Sequence, residues 1–290
     1  MSITRQNLSI IIVSYKSEHV IEKCINSVDN KIEIIIIDNS NNPEFKKNIE
    51  KKYNNVKCIL STENLGMGAG NNLGIKNIKT DFAFILNPDV NLEKNSLDEI
   101  LDASKNIDNF GILAPISSKN EYPNYKLEKN NEFDQIKPFK VESVDGFAMV
   151  LNLKRLKKID NFEFFDENFF MYLENDDLCK RLIKENELIY VVPKSKINHL
   201  GGEAVNPKYE KEIEYSRNWH WMWSKFYFNK KHYGYPIAFT RVLSNLTSAL
   251  IKFFYYSIIF NSHKKKIYQM RLLGLLNSIT GKKSFYRPRL

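Results

Sequence analysis

Three carboxylates fall within four positions, Glu174, Asp176 and Asp177 around Asn175, and another acid, Asp89, follows the apolar run DFAFILNP. Carboxylates this close repel one another and raise each other's pKa, which suits a general base that takes a proton from a hydroxyl. A capped helix start is the plainer explanation of the same acids: the dipole favours them, and Asp177 can pair with Arg181 four residues on. A lone Asp after a strand is ordinarily a turn former. Asp89, however, can join His199 of INHLGG in offering one hard oxygen and one imidazole to a divalent cation. The glycine pair Gly201-Gly202 leaves the approach to His199 unscreened. A cation held by so few protein groups, Mg2+ or Mn2+, keeps positions for the oxygens of a diphosphate.

These residues need a frame, and the first half of the chain supplies one. Apolar runs at Leu8–Tyr15, Ile32–Ile37, Val56–Leu60 and Asp81–Leu86 alternate with helical spacing after Ser17 or Glu18, over Phe45–Tyr53, after the glycine-rich loop, and over Ser96–Lys105. That alternation predicts a parallel sheet with helices on both faces. Pro88 has no N–H for a ladder, so the fourth strand ends there and holds Asp89 at its carboxyl end. Polar clusters recur at such ends: Ser14-Tyr15, Asp38-Asn39-Ser40, Asn87-Pro88-Asp89, and His199 with its glycines. Strand ends of a parallel sheet share one edge, so the first three can line one crevice. The loop Asn64-Leu65-Gly66-Met67-Gly68-Ala69-Gly70-Asn71 fits neither a dinucleotide fingerprint, because Asn71 replaces the third glycine, nor a phosphate-binding loop, because no Lys follows. It is either a strand-to-helix turn or a backbone that approaches a ligand.

Beyond residue 110 the pattern changes. A strand is expected at Phe110–Pro115 and a polar excursion or hairpin at Ser117–Pro138. A strand over Val141–Leu153 follows, with Gly146 in its middle, then a loop with a helical turn over Leu156–Phe165. A helix follows the ENDD segment, and a strand at Leu188–Val192 is closed by Pro193. From about Lys211 the chain reads as helical and aromatic. The expected organisation is a catalytic domain over 1–210, with a nucleotide-binding half (1–110) and an acceptor half (111–210), and a basic helical extension over 211–290.

The net charge of +9 hides an asymmetry. Glu214 is the last acid, and from Tyr215 to Leu290 there are 14 Lys and Arg and no Asp or Glu; the first 214 residues carry a net −5. Such a tail seeks an anionic partner, a membrane surface or a nucleic acid. Val242–Phe260 approaches spanning length, but Ser244, Asn245, Ser248 and Lys252 interrupt it, so the expectation is an interfacial helix, with packing on the body as the competing explanation. Cys24, Cys58 and Cys179 have no paired or metal-like spacing, which points to a reducing compartment. The first fifteen residues lack a signal-peptide layout.

In order, LSIIIVSYKS, IIIIDNS, NLGMGAGNNLGI, FILNPDV, SVDGFAMVL, FFMYLENDDLCKRL and INHLGG resemble inverting family 2 glycosyltransferases of the GT-A fold, in the rhamnosyltransferase-like bacterial branch that builds surface polysaccharides. The resemblance covers about residues 8–225. It implies a Rossmann-like, mostly parallel α/β sheet flanked by helices. It also implies that Ser14, Tyr15 and Asp38 line the base and ribose of a UDP- or dTDP-linked sugar, with Asn64, Gly66 and Asn71 continuing the pocket. Asp89 matches the metal-binding acid of the motif spelled Asp-x-Asp, Asn87 standing at its first position, and His199 matches a His that helps hold Mg2+ or Mn2+. Gly146 and Phe147 would lie near the sugar or acceptor, and Arg217 would reach the diphosphate. The segment at 174–177 matches an acidic base motif, with Asn175 in place of its second acid. The base is then Glu174, with Asp177 and Asp176 as alternatives. The acceptor implied is a glycan or lipid-linked glycan, used at the inner face of a bacterial plasma membrane to which the tail binds; no nucleic-acid partner is implied, and a homo-oligomer is compatible. A nucleotidyltransferase would want a basic glycine-rich loop near the first strand, where only Lys16 stands. A non-catalytic binder of the same fold would explain the amides at 87 and 175.

Overall fold

The runs LSIIIVS, EIIIID, VKCIL and FAFIL are rich in side chains that suit strands covered on both faces. In the computed structural model, which describes residues 2–107, 109–118, 123–128 and 133–288, they form β1 (Leu8–Ser14), β2 (Glu33–Asp38), β3 (Val56–Leu60) and β4 (Phe82–Leu86). Every residue of β1 and β4 is buried. They lie in the order β3-β2-β1-β4, all parallel, with Ser14 opposite Asp38 and Ile12 opposite Leu86. The intervening helices are α1 (Ile21–Ser27), α2 (Pro43–Lys52) and α3 (Gly66–Lys76). Asn42 caps α2 by accepting from the N–H groups of Glu44 and Phe45, and Pro43 fills the first turn. No side chain caps α1; the Ser17 hydroxyl, an expected helix opener, accepts from the Tyr15 N–H instead. Helix α3 lies close on β1 because Gly70 and Gly74 face it: a Cβ on Gly74 would meet Ile11 Cγ2 at 2.4 Å.

The remaining elements are β5 (Val90–Leu92), α4 (Ser96–Asn106), β6 (Ile112–Ser117), β7 (Tyr125–Leu127), β8 (Phe139–Val144), β9 (Ala148–Asn152), α5 (Leu153–Leu156), α6 (Glu174–Lys184), β10 (Ile189–His199), α7 (Glu210–Tyr233), α8 (Tyr235–Ile258) and α9 (Ser262–Ile279). Of the polar stretch 117–138, residues 119–122 and 129–132 lie outside the described residues, as do 289–290 of the tail; the stretch contributes β7, which pairs antiparallel with β8. The strand expected over Val141–Leu153 is two strands. It breaks at Asp145-Gly146-Phe147, β8 pairing with β7 and β10 while β9 runs antiparallel between β4 and β6. Val141, Val144, Phe147 and Ala148 keep apolar residues on both sides of the break, which hides it in the sequence.

Pro193 does not close the last strand. Val192 pairs with Pro115 and Lys196 with Ile116, so Pro193 sits in a bulge of β10, where a missing N–H is tolerated. β10 thereby carries on to His199, which pairs with Val90. The full sheet runs β3-β2-β1-β4-β9-β6-β10-β8-β7, with β5 on β10; pairing is parallel through β3-β2-β1-β4 and between β6 and β10, and antiparallel elsewhere.

Two compact units divide the chain: Met1–Leu65, Ala69–Asp166 and Asn175–Asn206 form the first, and Gly66–Gly68, Glu167–Glu174 and Pro207–Leu290 the second. The sheet and its core belong to the first. In the second, α7, α8 and α9 enclose two clusters, one of Met222, Phe226, Ala238, Val242 and Leu275, the other of Tyr215, Trp219, Trp223 and Met270. Gly274 lets α9 touch α7, since a Cβ there would meet the Trp219 carbonyl oxygen at 2.1 Å. His220 is fully buried between Ser284 Oγ (2.9 Å) and the Tyr286 carbonyl (2.9 Å), stacked on Phe170, and burial pushes its pKa down to about 3.

Candidate active site

The carboxyl ends of β2, β1 and β4 lie side by side, and neighbouring strands are about 4.8 Å apart, so residues after β2 and β4 flank β1 within about 10 Å. At the β2 end, Asp38 is buried and fully engaged. Its Oδ1 accepts from the Ser14 hydroxyl (3.2 Å) and the Ser40 N–H (3.0 Å), and its Oδ2 from the Asn42 N–H (2.8 Å). Asp38 therefore fixes the loop that leads into α2 and ties it to β1. Next to it, Asn39 is buried and accepts from the Leu65 N–H (3.2 Å), which joins this loop to the start of the glycine-rich segment. Tyr15 and Asn64 are half-buried at the same end.

At the β4 end the chemistry differs. The Val90 N–H donates to the Asn87 carbonyl (3.1 Å), closing a turn that carries Asp89 between β4 and β5. Asp89 is buried, yet its Oδ1 accepts no hydrogen bond; His199 Nε2 lies 3.4 Å from it. The Leu200 N–H donates to the Asp89 carbonyl (3.1 Å), which locks the end of β10 against this turn. His199 stacks on Phe147 with centroids 4.1 Å apart, and the Asn87 N–H donates to the Phe147 carbonyl (2.8 Å). Asp89 and His199, joined in the sequence by their chemistry, form one group with Asn87 and Phe147. Asn87 Oδ1 and Asn71 Oδ1 are also buried acceptors without a donor.

A buried carboxylate oxygen without a donor is costly, and a cation removes the cost. The pair Asp89 and His199 fits a hard divalent cation that takes its other ligands from phosphate and water. Among the described residues no group of three His, Cys, Asp or Glu could hold a metal ion, so those residues would supply one carboxylate and one imidazole here.

The acids of the 174–177 segment divide among different tasks. Asp177 is fully buried and accepts from Arg181 Nε (2.8 Å), while Arg181 also donates to the carbonyls of Glu163 and Phe164; the pair clamps the preceding loop to α6. Asn175 donates to the Val144 carbonyl (2.8 Å), and a Cβ on Gly146 would stand 3.2 Å from Asn175 Cβ, so these two residues dock α6 against the β8–β9 break. Asp176 is half-buried, and desolvation raises its pKa against the pull of a hydrogen bond from Ser143 and the charge of Lys126. Asp145 carries no signal in the sequence, where VDGF reads as mid-strand. Its carboxyl is pushed up to about 6, first by the protein atoms around it and then by Asp176, while His199 pulls it down; its solvent-facing side lets water screen part of this.

In the second unit, Gly66 has φ +78° and would clash through a Cβ with the Phe170 carbonyl at 2.2 Å, and the Met67 N–H donates to that same carbonyl (2.8 Å). Packing therefore accounts for this glycine. Tyr172 and Leu173 are consecutive left-handed residues (φ 70° and 65°) directly before Glu174, a conformation that costs roughly 1–2 kcal/mol per residue and that no turn residue announces. Burial raises the Tyr172 pKa, Arg217 lowers it and Glu174 raises it, so all three share one electrostatic neighbourhood.

The profile described as glycosyl transferase family 2 matches residues 9–173, more than half of the chain. The chain is 26% identical over 200 residues to the low-salt glycan biosynthesis hexosyltransferase Agl10 of Haloferax volcanii, covering 62% of each chain. It is 22% identical over 234 residues to an N-acetylglucosaminyl-diphospho-decaprenol L-rhamnosyltransferase of Mycobacterium tuberculosis, covering 66% of this chain and 75% of the relative. The chain thus spans less than two thirds of the length of the archaeal relative. Solved structures share the fold: the mannosyltransferase PcManGT of Pyrobaculum calidifontis with GDP-Man and Mn2+ (10% identity, 96% of this chain and 88% of that one, TM-score 0.56) and S. aureus TarS with UDP-GlcNAc (14% identity, 97% and 93%, TM-score 0.54). The fold is the GT-A fold, and the chain belongs to glycosyl transferase family 2.

Proposed function

We propose that this protein moves a sugar, rhamnose or a similar hexose, from a UDP- or dTDP-linked donor to a hydroxyl of a glycan or lipid-linked glycan acceptor, with inversion, in surface polysaccharide synthesis at the cytoplasmic face of a bacterial plasma membrane. The observation that carries this reading is the buried, donorless oxygen of Asp89 beside His199 at the edge where strand ends gather ligands. Asp89 and His199 would hold Mg2+ or Mn2+, which when bound supplies positive charge against the departing diphosphate. The donorless oxygens of Asn71 and Asn87 await donor groups, such as ring N–H or hydroxyl groups of the nucleotide sugar. Asp176 takes the acceptor proton: its carboxyl is raised by its surroundings, whereas Asp177 is committed to Arg181 and Asn175 to Val144. Glu174 is the other candidate base. The relatives support the class of reaction: one is a hexosyltransferase by name and one a rhamnosyltransferase acting on a lipid diphosphate.

The test is release of nucleoside diphosphate from a panel of UDP- and dTDP-sugars with Mg2+ or Mn2+. Turnover of at least one donor is expected, lost with chelator and lowered about 100-fold by Asp176→Asn. An equal loss from Glu174→Gln with none from Asp176→Asn moves the base to Glu174. Binding of donors without turnover under any condition favours the second reading, a non-catalytic binder, to which the amide at Asn175 points.

A further inference from the structure

Helix α8 is apolar on two opposite sides. Ala238, Val242 and Ala249 are buried against its neighbours, while Leu250, Ile251, Phe254 and Ile258 stand exposed on the other side, Ile258 at 74%. The outer stripe ends at Phe260, which is 92% exposed and has φ 55°. A left-handed residue just past a helix end is ordinarily Gly or Asn, so folding does not ask for a phenylalanine there. Lysines ring this tip. Lys252 lies 5.3 Å from the Tyr268 ring, Lys264 5.3 Å from Tyr256 and Lys265 5.7 Å from Phe253. By length and composition α8 is long enough to cross a bilayer. Its inner face, though, is packed on α7 and α9, and Arg241 and Lys252 stand on its exposed surface.

We propose that the α8–α9 hairpin is a wedge that docks on an anionic phospholipid surface. Ile251, Phe254, Ile258 and Phe260 enter the acyl boundary, and Lys252 with Lys264–Lys266 meets the headgroups. A second copy of the chain is the poorer occupant: with 14 Lys and Arg and no acid between Tyr215 and Leu290, two such faces repel. The wedge gives a specific form to the membrane-face location proposed above and rests on it only for its biological setting.

The experiment is flotation of the full chain with vesicles of phosphatidylcholine alone or mixed with phosphatidylglycerol, alongside lipid-free turnover of nucleotide sugar. The protein should float with the mixed vesicles, weakly with the neutral ones, and less as salt is raised. Replacing Lys264, Lys265 and Lys266 together by Gln should lower partitioning about 100-fold, and Phe254→Ser with Ile258→Ser at least about ten-fold. Phe260→Asn should lower binding while leaving the unfolding midpoint unchanged or raised, which separates lost docking from misfolding. Lipid-free turnover should be unchanged in all three. The wedge is overturned if the protein ignores anionic vesicles, if these variants bind as wild type does, or if the exposed stripe instead holds a dimer that Phe254→Ser splits. Flotation without turnover would leave the wedge standing and sink the transferase reading; turnover without flotation would do the reverse.

Discussion

Asp38 and Asp89 are the same residue type in nearly the same place. Each follows or ends a buried strand, the two strands flank β1 on either side, and each residue is 2% exposed. They differ in what surrounds them. Asp38 accepts from a hydroxyl and two backbone N–H groups, so its charge is satisfied inside the protein. Asp89 has an oxygen with no donor and an imidazole 3.4 Å away. One carboxylate builds the loop that shapes the edge, and the other keeps a buried oxygen to which no group of the protein donates. An acid at a strand end is thus no functional signal by itself; the count of donors around it is.

The comparison can be broken by mutation. Asp89→Asn should cut turnover about 1,000-fold with no loss of thermal stability, because it removes a buried charge that lacks donors. Asp38→Ala should do the opposite, costing about 3 kcal/mol of stability for three lost hydrogen bonds, measurable by denaturant unfolding. Equal stability losses from the two changes would erase the distinction.

The second unit limits the pH range in which such assays are read. His220 is held neutral well below its unfolded pKa of about 6.5, so the stability tied to its neutral form is whole above that pH. It is lost as pH falls toward 3, at up to about 1.4 kcal/mol per pH unit. Unfolding midpoints should fall below pH 6.5, and His220→Gln should flatten that slope. The smallest expected effect is that of Asn87→Ala, which removes one buried acceptor and should weaken turnover less than about ten-fold.

Much of this contrast was legible in the residues. The four apolar runs define the parallel half of the sheet, and Pro88 places Asp89 at a strand end. Residue chemistry pairs Asp89 with His199, but their contact depends on β10 passing Pro193 through a bulge, and a proline reads in sequence as a stop. Asp145 is hidden because Val144 and Phe147 flank it, so a two-strand break reads as one strand. The Asp177–Arg181 pair is legible from its i,i+4 spacing, but the carbonyls of Glu163 and Phe164 that also hold Arg181 are contacts between segments that spacing on one helix does not report. The glycine-rich loop reads equally as a turn or as an approach to a ligand, and what a Cβ on Gly66 would meet, the Phe170 carbonyl, is a contact that the sequence does not report.

We propose that Asp89, with His199, is the cation-holding acid and that Asp38 is not. Electron paramagnetic resonance of Mn2+, titrated into wild type, Asp89→Asn and Asp38→Asn in the presence of UDP, tests it most directly. We expect wild type and Asp38→Asn, where folded, to bind Mn2+ and Asp89→Asn to lose binding. Undiminished Mn2+ binding by folded Asp89→Asn would contradict the claim.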